Sequence, residues 1–208
     1  MKRVITTVLA ASMMLAGLSA AAQINIGAGY VNSAYKSKIT SGSTTSKSST
    51  PAHGFYVGAD CDIPIVGGLS MVPGVYYTFA TASESYFNSL ATGSTTEMYV
   101  GVPVNFTYSV ELGKGAKAYA FAGPTFNVGV SSKDKIESGS ISYTTDNYKD
   151  SDYSRFEMLL GGGVGLQYGA LGVKVGYDAN LLNRITGDTA SNYYRGRNQL
   201  HAGVVYSF

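Results

Sequence analysis

The last eleven residues, Asn198 to Phe208, read NQLHAGVVYSF. Leu200, Ala202, Val204, Tyr206 and Phe208 share one parity; His201, Gly203 and Ser207 share the other, with Val205 its one large apolar member. Period two demands a strand with one apolar face and one small or polar face. What that apolar face touches is constrained by composition. Only 13% of the 208 residues are charged, with 26 Gly and 17 Tyr, whereas soluble domains average about 25% charge. A lipid-wetted surface accounts for the deficit. Beyond the N-terminus no run of about 18 apolar residues occurs, which excludes membrane helices in the mature chain. The mean hydropathy of +0.04 suits alternating strands, whose two faces cancel in the average.

The first residues form a targeting segment. Lys2 and Arg3 supply the positive region, Val4 to Leu18 the apolar core and Ala20-Ala21-Ala22 a small-residue cleavage site. Residues 1–22 are therefore expected to be a cleaved signal peptide, with 23–208 the mature domain. Without Lys2 and Arg3 the 15 basic residues become thirteen, equal to the 13 acidic ones. The basic character was the leader's, and no basic tract is left that points to nucleic acid. Cys61 is the single cysteine, so neither an intramolecular disulfide nor a cysteine-based metal site is expected. Gly161-Gly162-Gly163 lies in a strand pattern with no following helix, so it is no phosphate cradle and no cofactor is expected.

Eight strands are predicted at 23–34, 54–63, 69–80, 96–109, 117–130, 155–168, 171–182 and 198–208. Each is close to the ~9–11 residues a tilted membrane strand requires. The intervening segments alternate long (36–53, 81–95, 131–154, 183–197) and short (64–68, 110–116, 169–170). Membrane barrels show that asymmetry, with tight periplasmic turns and long external loops. The outward set includes Ile24, Ile26, Phe55, Val57, Cys61, Val75, Val100 and, in the blurred fifth strand, Tyr119 and Phe121. Pro73 is expected to mark a bulge or break. Gly169-Ala170 reads as a two-residue turn with Gly first, as a type II′ turn wants. It places Leu166 opposite Val173, Val164 opposite Val175, Gly165 opposite Lys174 and Gly161 opposite Asp178.

Eight strands leave an interior only wide enough for side chains to fill, and buried charge must be paired. Asp60, Asp62, Glu97, Glu157, Lys174, Asp178 and His201 all fall on inward parity and form the expected lumen network. Gly161, Gly163 and Gly165 open space for it. Acids outnumber cations, so Arg195 or Arg197 is expected to dip in from the loops, and His201 to meet Asp178 or Asn180. Tyr30, Phe55, Phe79, Tyr108, Tyr119, Phe156, Tyr168, Tyr206 and Phe208 sit near strand ends, as aromatics of a membrane interface do. His53 near Ser48 and Ser49, and His201 near Asp178, are the residues on which lipid-modifying catalysis would have to rest, but neither has a diagnostic spacing. The 36–53 segment is Ser/Thr-rich and reads as a solvated loop. Tyr86, Phe87, Tyr143, Tyr148, Tyr153, Tyr193 and Tyr194 give the other loops a composition suited to surface contacts. Asp188-Thr189-Ala190 resembles an O-glycosylation site.

Together with EMYVGVPVNFTY, KAYAFAGPTF, GGGVGLQYGALGVKVGY and the ending GVVYSF, these features resemble the porin-like outer-membrane β-barrel domain family across roughly 23–208. The resemblance implies an all-β, eight-stranded, antiparallel up-and-down transmembrane β-barrel in the outer membrane of a Gram-negative bacterium. Both termini would be periplasmic, and the terminal aromatic Phe208 would be read by the barrel assembly machinery. The partners implied are outer-membrane lipid and lipopolysaccharide, and a surface protein or glycan met by the loops at 36–53, 81–95, 131–154 and 183–197. The expected role is that of a monomeric, non-enzymatic barrel with a plugged polar lumen, acting in adhesion, envelope integrity or surface docking. A narrow porin-like channel for ions or very small solutes is the alternative, and a lipid A-modifying enzyme the third.

Overall fold

The computed structural model describes residues 22–41, 43–86, 91–138, 141–150, 153–186 and 193–208. The expected signal peptide, apart from Ala22, lies outside them, as do Phe87 and the Asp188-Thr189-Ala190 site. Among the described residues there are nine strands: β1 Gln23–Ser41, β2 Thr44–Val66, β3 Leu69–Tyr86, β4 Ala91–Gly113, β5 Ala116–Ser138, β6 Ile141–Asp146, β7 Phe156–Tyr168, β8 Leu171–Asn180 and β9 Tyr193–Ser207. A short helical turn, α1, spans Asn147–Asp150.

Eight of the strands close on themselves in the order β1, β2, β3, β4, β5, β7, β8, β9, and β9 returns to β1. Every pairing is antiparallel. Closure leaves no free edge within the ring, which is the condition for exposing a sheet to hydrocarbon. The ninth strand, β6, folds back on the far end of β5 and stands outside the ring. Short turns lie at one end with both ends of the barrel chain; the other end, here the loop end, carries the longer connections. Gly169 has a φ of 57°, as the first central residue of a type II′ turn does, and the β7–β8 register runs from Tyr168↔Leu171 to Leu159↔Asn180. The register derived from that turn is the one observed.

Ile24, Val57, Val175 and Val204 are between 43 and 58% exposed. With Ile26, Val164, Leu166 and Val173, also exposed, they give the outside a continuous apolar coat of the kind that water does not tolerate on this scale. Cys61 shares their parity yet is covered. Pro73 leaves a gap in the β3–β4 ladder between Pro73↔Val104 and Tyr76↔Gly101, with no shift in register, so it is a break and not a bulge. The shift in that region lies elsewhere, between Met98 and Tyr99 on β4.

Three expectations are corrected. Segment 36–53 is no loop: Lys36↔Ser49 continues to Ser41↔Thr44 as a ladder. Segments 81–95 and 131–154 are likewise mostly strand, and β9 starts at Tyr193, inside the expected last loop. Above the lipid both faces of a strand are wet, so hydropathy stops alternating while backbone pairing goes on. The third correction concerns β5. Tyr119 and Phe121 face the lumen, where Tyr119 lies against Gly165 and Phe121 against Gly163 and Gly176; Tyr119 is therefore not an interface aromatic. Ala118 and Ala120 take the outer parity, opposite Leu166 and Val164. The bare inner face of β7 has room for two rings, and that decides the side.

Candidate functional site

The remaining interface aromatics fall into two belts. Tyr108, Tyr168, Tyr206 and Phe208 are exposed near the turn end, with the rings of Tyr206 and Phe208 packed edge to face at 4.9 Å. Tyr30, Phe55 and Phe79 are successive partners across β1, β2 and β3, the last two stacked at 5.5 Å, and Phe156 starts β7 on the same side of the wall. These belts mark where headgroups replace hydrocarbon.

Level with the outer belt, the lumen is filled by four charges. Glu97 precedes Met98, which pairs with Phe79, and Glu157 follows Phe156, so both carboxylates project inward there. Arg197 arrives from β9 and Arg184 from the segment after β8. Arg184 Nη1 lies 3.2 Å from Glu97 Oε2 and 3.9 Å from Glu157 Oε1. Arg197 Nη1 lies 3.4 Å from Glu97 Oε2, and its Nη2 donates to Glu157 Oε2. All four are 1–2% exposed. Their remaining lone pairs are largely met: Ser132 Oγ donates to Glu97 Oε1 at 3.1 Å, Tyr153 OH to the same oxygen at 3.3 Å, and Asn127 Nδ2 to Glu157 Oε2 at 3.2 Å. The guanidinium of Arg197 sits 3.7 Å from the centre of the Tyr99 ring, and that of Arg184 4.3 Å from Tyr153. Two acids and two bases of zero net charge, dressed by neutral donors and aromatic faces, are the arrangement in which buried ions are tolerable.

The cap on this cluster comes from the loop end. Tyr148 of α1 stacks on Tyr153 at 5.8 Å and accepts from Arg184 Nη2 at 3.1 Å, while Asn147 Nδ2 donates to Ser132 Oγ at 3.1 Å. Burial, together with the Glu97 carboxylate, pushes the Tyr153 hydroxyl up from its ordinary value, so it stays a donor. Tyr148 and Tyr153 thus turn inward, whereas Tyr143 and Tyr193 stay exposed.

Nearer the turn end is a second polar layer. Asp60 accepts from Asn25 Nδ2 at 2.8 Å and from the Tyr76 hydroxyl, and Lys174 Nζ stands 3.7 Å from it. Asp178 accepts from Gln199 Nε2 at 2.9 Å and lies 3.5 Å from His201 Nε2. Asp62 lines a cavity of about 60 Å³ that it shares with Asp60 and Lys174, and a second of about 80 Å³ adjoins Asp178 and His201. All seven lumen residues therefore point inward, in two layers joined by Tyr99, whose ring carries Arg197 and whose hydroxyl donates to Gln199 Oε1 at 3.1 Å. Arg184 had no signal in its own neighbourhood, being on no strand; two buried carboxylates facing each other across the lumen were the cue that two cations were required.

The two histidines have different surroundings. His53 is on the outside, where its Nδ1 accepts from the Tyr30 hydroxyl and lies 3.1 Å from Asn32 Nδ2; Ser49 is instead opposite Lys36. His201 is packed among Tyr56, Phe121 and Asp178. Among the described residues no cluster of three or more metal-ligating side chains occurs.

A closed eight-stranded ring, apolar outside and packed with paired charge inside, defines a transmembrane β-barrel. A family model for the outer membrane protein beta-barrel domain matches residues 15–186, and the chain belongs to that family. Its place is the Gram-negative outer membrane, with the turn end toward the periplasm. Similar solved structures include Ail, the attachment invasion locus protein of Yersinia pestis, in complex with the heparin analogue sucrose octasulfate: 13% identity, 90% of this chain and 99% of that one, TM-score 0.49. Neisserial surface protein A is similar at 15% identity over 89% of this chain and 97% of that one, TM-score 0.44. No curated protein sequence matches the chain.

Proposed function

We propose that this barrel does its work at the loop end, docking the cell to a surface or to another surface protein, while its lumen stays shut. The observation that carries the reading is strand length. β2, β4 and β5 each have 23 residues, about twice the ~9–11 needed to cross hydrocarbon. The surplus lies beyond the outer aromatic belt as paired, stiff hairpins, which keep a binding surface ordered and lower the entropy lost on contact. The buried Glu97, Glu157, Arg184 and Arg197 cluster supports a closed lumen, and the cavities of about 60 and 80 Å³ stop below it. The surroundings of His53 and His201 support a non-enzymatic role.

Two measurements test this. In planar bilayers the purified barrel is expected to give no porin-sized current steps; such steps would favour the channel. Replacing residues 36–49 by a two-residue turn is expected to leave a folded, heat-modifiable barrel but to reduce the adherence of displaying cells to immobilised matrix proteins and to other cells. Undiminished adherence would refute docking through this hairpin.

A further inference from the structure

On the outer face of the β1–β2 hairpin, moving away from Tyr30 and Phe55, the partners are Asn32↔His53, Ala34↔Pro51, Lys36↔Ser49 and Lys38↔Lys47. The ladder runs without a register shift, so Lys36 and Lys38 keep the parity of Ile24, Ile26, Ala28 and Tyr30. They project radially from the wall and not along the barrel axis. Lys36, Lys38 and Lys47 are all exposed, and none forms an ion pair among the described residues. Residues 32–53 contain no Asp or Glu. Like charges directly opposite on neighbouring strands repel and destabilise a sheet, so Lys38 facing Lys47 is an unfavourable choice unless something negative is normally there. The other tall wall differs: Lys135 of β5 has Glu137 at 2.6 Å.

We propose that this flank binds phosphate groups carried on the saccharide head of the outer-leaflet glycolipid. The position selects that source. Lys36 is six residues beyond Tyr30, roughly 20 Å along the strand and about 15 Å above the belt once the tilt is allowed for. That is the depth of a large phosphorylated headgroup, and the side chains point into the plane of the leaflet. A neutral donor, Ser49 opposite Lys36, adds to the surface. The ammonium groups are bare point charges that trade hydration for phosphate oxygens, as basic groups beside anionic leaflets do. The proposal stands independently of any partner docked at the loop end.

The test titrates the full-length barrel, in neutral detergent, with lipopolysaccharide, with the same glycolipid after enzymatic dephosphorylation, and with soluble polyphosphate. Each of Lys36→Gln, Lys38→Gln and Lys47→Gln is expected to weaken binding of the intact glycolipid about 5-fold, and the triple variant about 100-fold. The dephosphorylated glycolipid should bind the unaltered barrel no better than the intact one binds the triple variant. Lys133→Gln with Lys135→Gln on the opposite wall should change binding less than 2-fold. Lys47→Glu separates binding from folding: it should raise the unfolding midpoint in glycolipid-free detergent, by turning repulsion into attraction, and yet weaken glycolipid binding. Equal loss from the opposite wall, an unaffected triple variant, or tighter binding of polyphosphate than of glycolipid would overturn the proposal.

Discussion

Arg197→Met is expected to lower the stability of the barrel by about 3–5 kcal/mol, the range found when one member of a buried ion pair is deleted. The guanidinium is 1% exposed, donates to Glu157, reaches Glu97 at 3.4 Å and lies on the Tyr99 ring. Without it Glu97 and Glu157 share one cation, Arg184, and a net negative charge is left in a buried space lined by Tyr99 and Tyr153. Methionine fills much of the vacated volume, so the loss is electrostatic and not chiefly a cavity effect. That makes the second half of the prediction sharp. Arg197→Met combined with Glu157→Gln leaves Arg184 against Glu97 at 3.2 Å, a neutral pair, and should recover most of the deficit. Urea unfolding in detergent, read by the gel shift between folded and heated forms, measures both. A single variant as stable as the parent, or a double variant no better than the single, would mean that water reaches the cluster and that the lumen is not closed at this level.

The ladder between β7 and β8 could be read residue by residue because a two-residue turn with Gly169 at its head allows only one register, and parity then carries every side chain to its face. The same parity places Glu97, Glu157, Lys174, Asp178 and His201 inward. The logic failed where one of its inputs was missing. In β5 both parities are apolar, Ala118 and Ala120 on one and Tyr119 and Phe121 on the other, so hydropathy does not choose between them. The choice belongs to the neighbouring strand, through Tyr119↔Gly165 and Phe121↔Gly163, and that register is set across β6 and α1 and by no tight turn. The tall hairpins were hidden for a related reason. Alternation reports a boundary between oil and something else; at Lys36 the strand has left the oil, and Ser, Thr and Lys on both faces look like a loop. Arg184 was invisible from sequence because its side chain is placed by the Tyr153↔Ile185 bridge and not by strand parity.

The fit of those rings against β7 yields the other large effect, and it discriminates between two glycines of similar appearance. A β-carbon at Gly165 would come within 2.2 Å of Tyr119 Cζ, and its three nearest neighbours are all atoms of that side chain. A β-carbon at Gly163 would come within 2.1 Å of the Val175 carbonyl oxygen as well as 2.6 Å of Phe121 Cζ. Gly165→Ala and Gly163→Ala are each expected to destabilise by at least the ~1–3 kcal/mol typical of overpacking. Only the first clash is with something that can be cut away. In a double-mutant cycle, Gly165→Ala with Tyr119→Leu should show a favourable coupling of about 1–3 kcal/mol, whereas Gly163→Ala with Phe121→Leu should show a much smaller one, since the ladder oxygen stays where it is. The cycle subtracts whatever the loss of each ring does by itself, so the comparison survives a large effect of Tyr119→Leu alone. Absence of coupling at Gly165 would put Tyr119 back on the lipid side of the wall. With it would go the account of why three glycines line the inner face of β7: a lumen this narrow can hold aromatic rings on one strand only if the adjacent strand offers bare backbone beneath them.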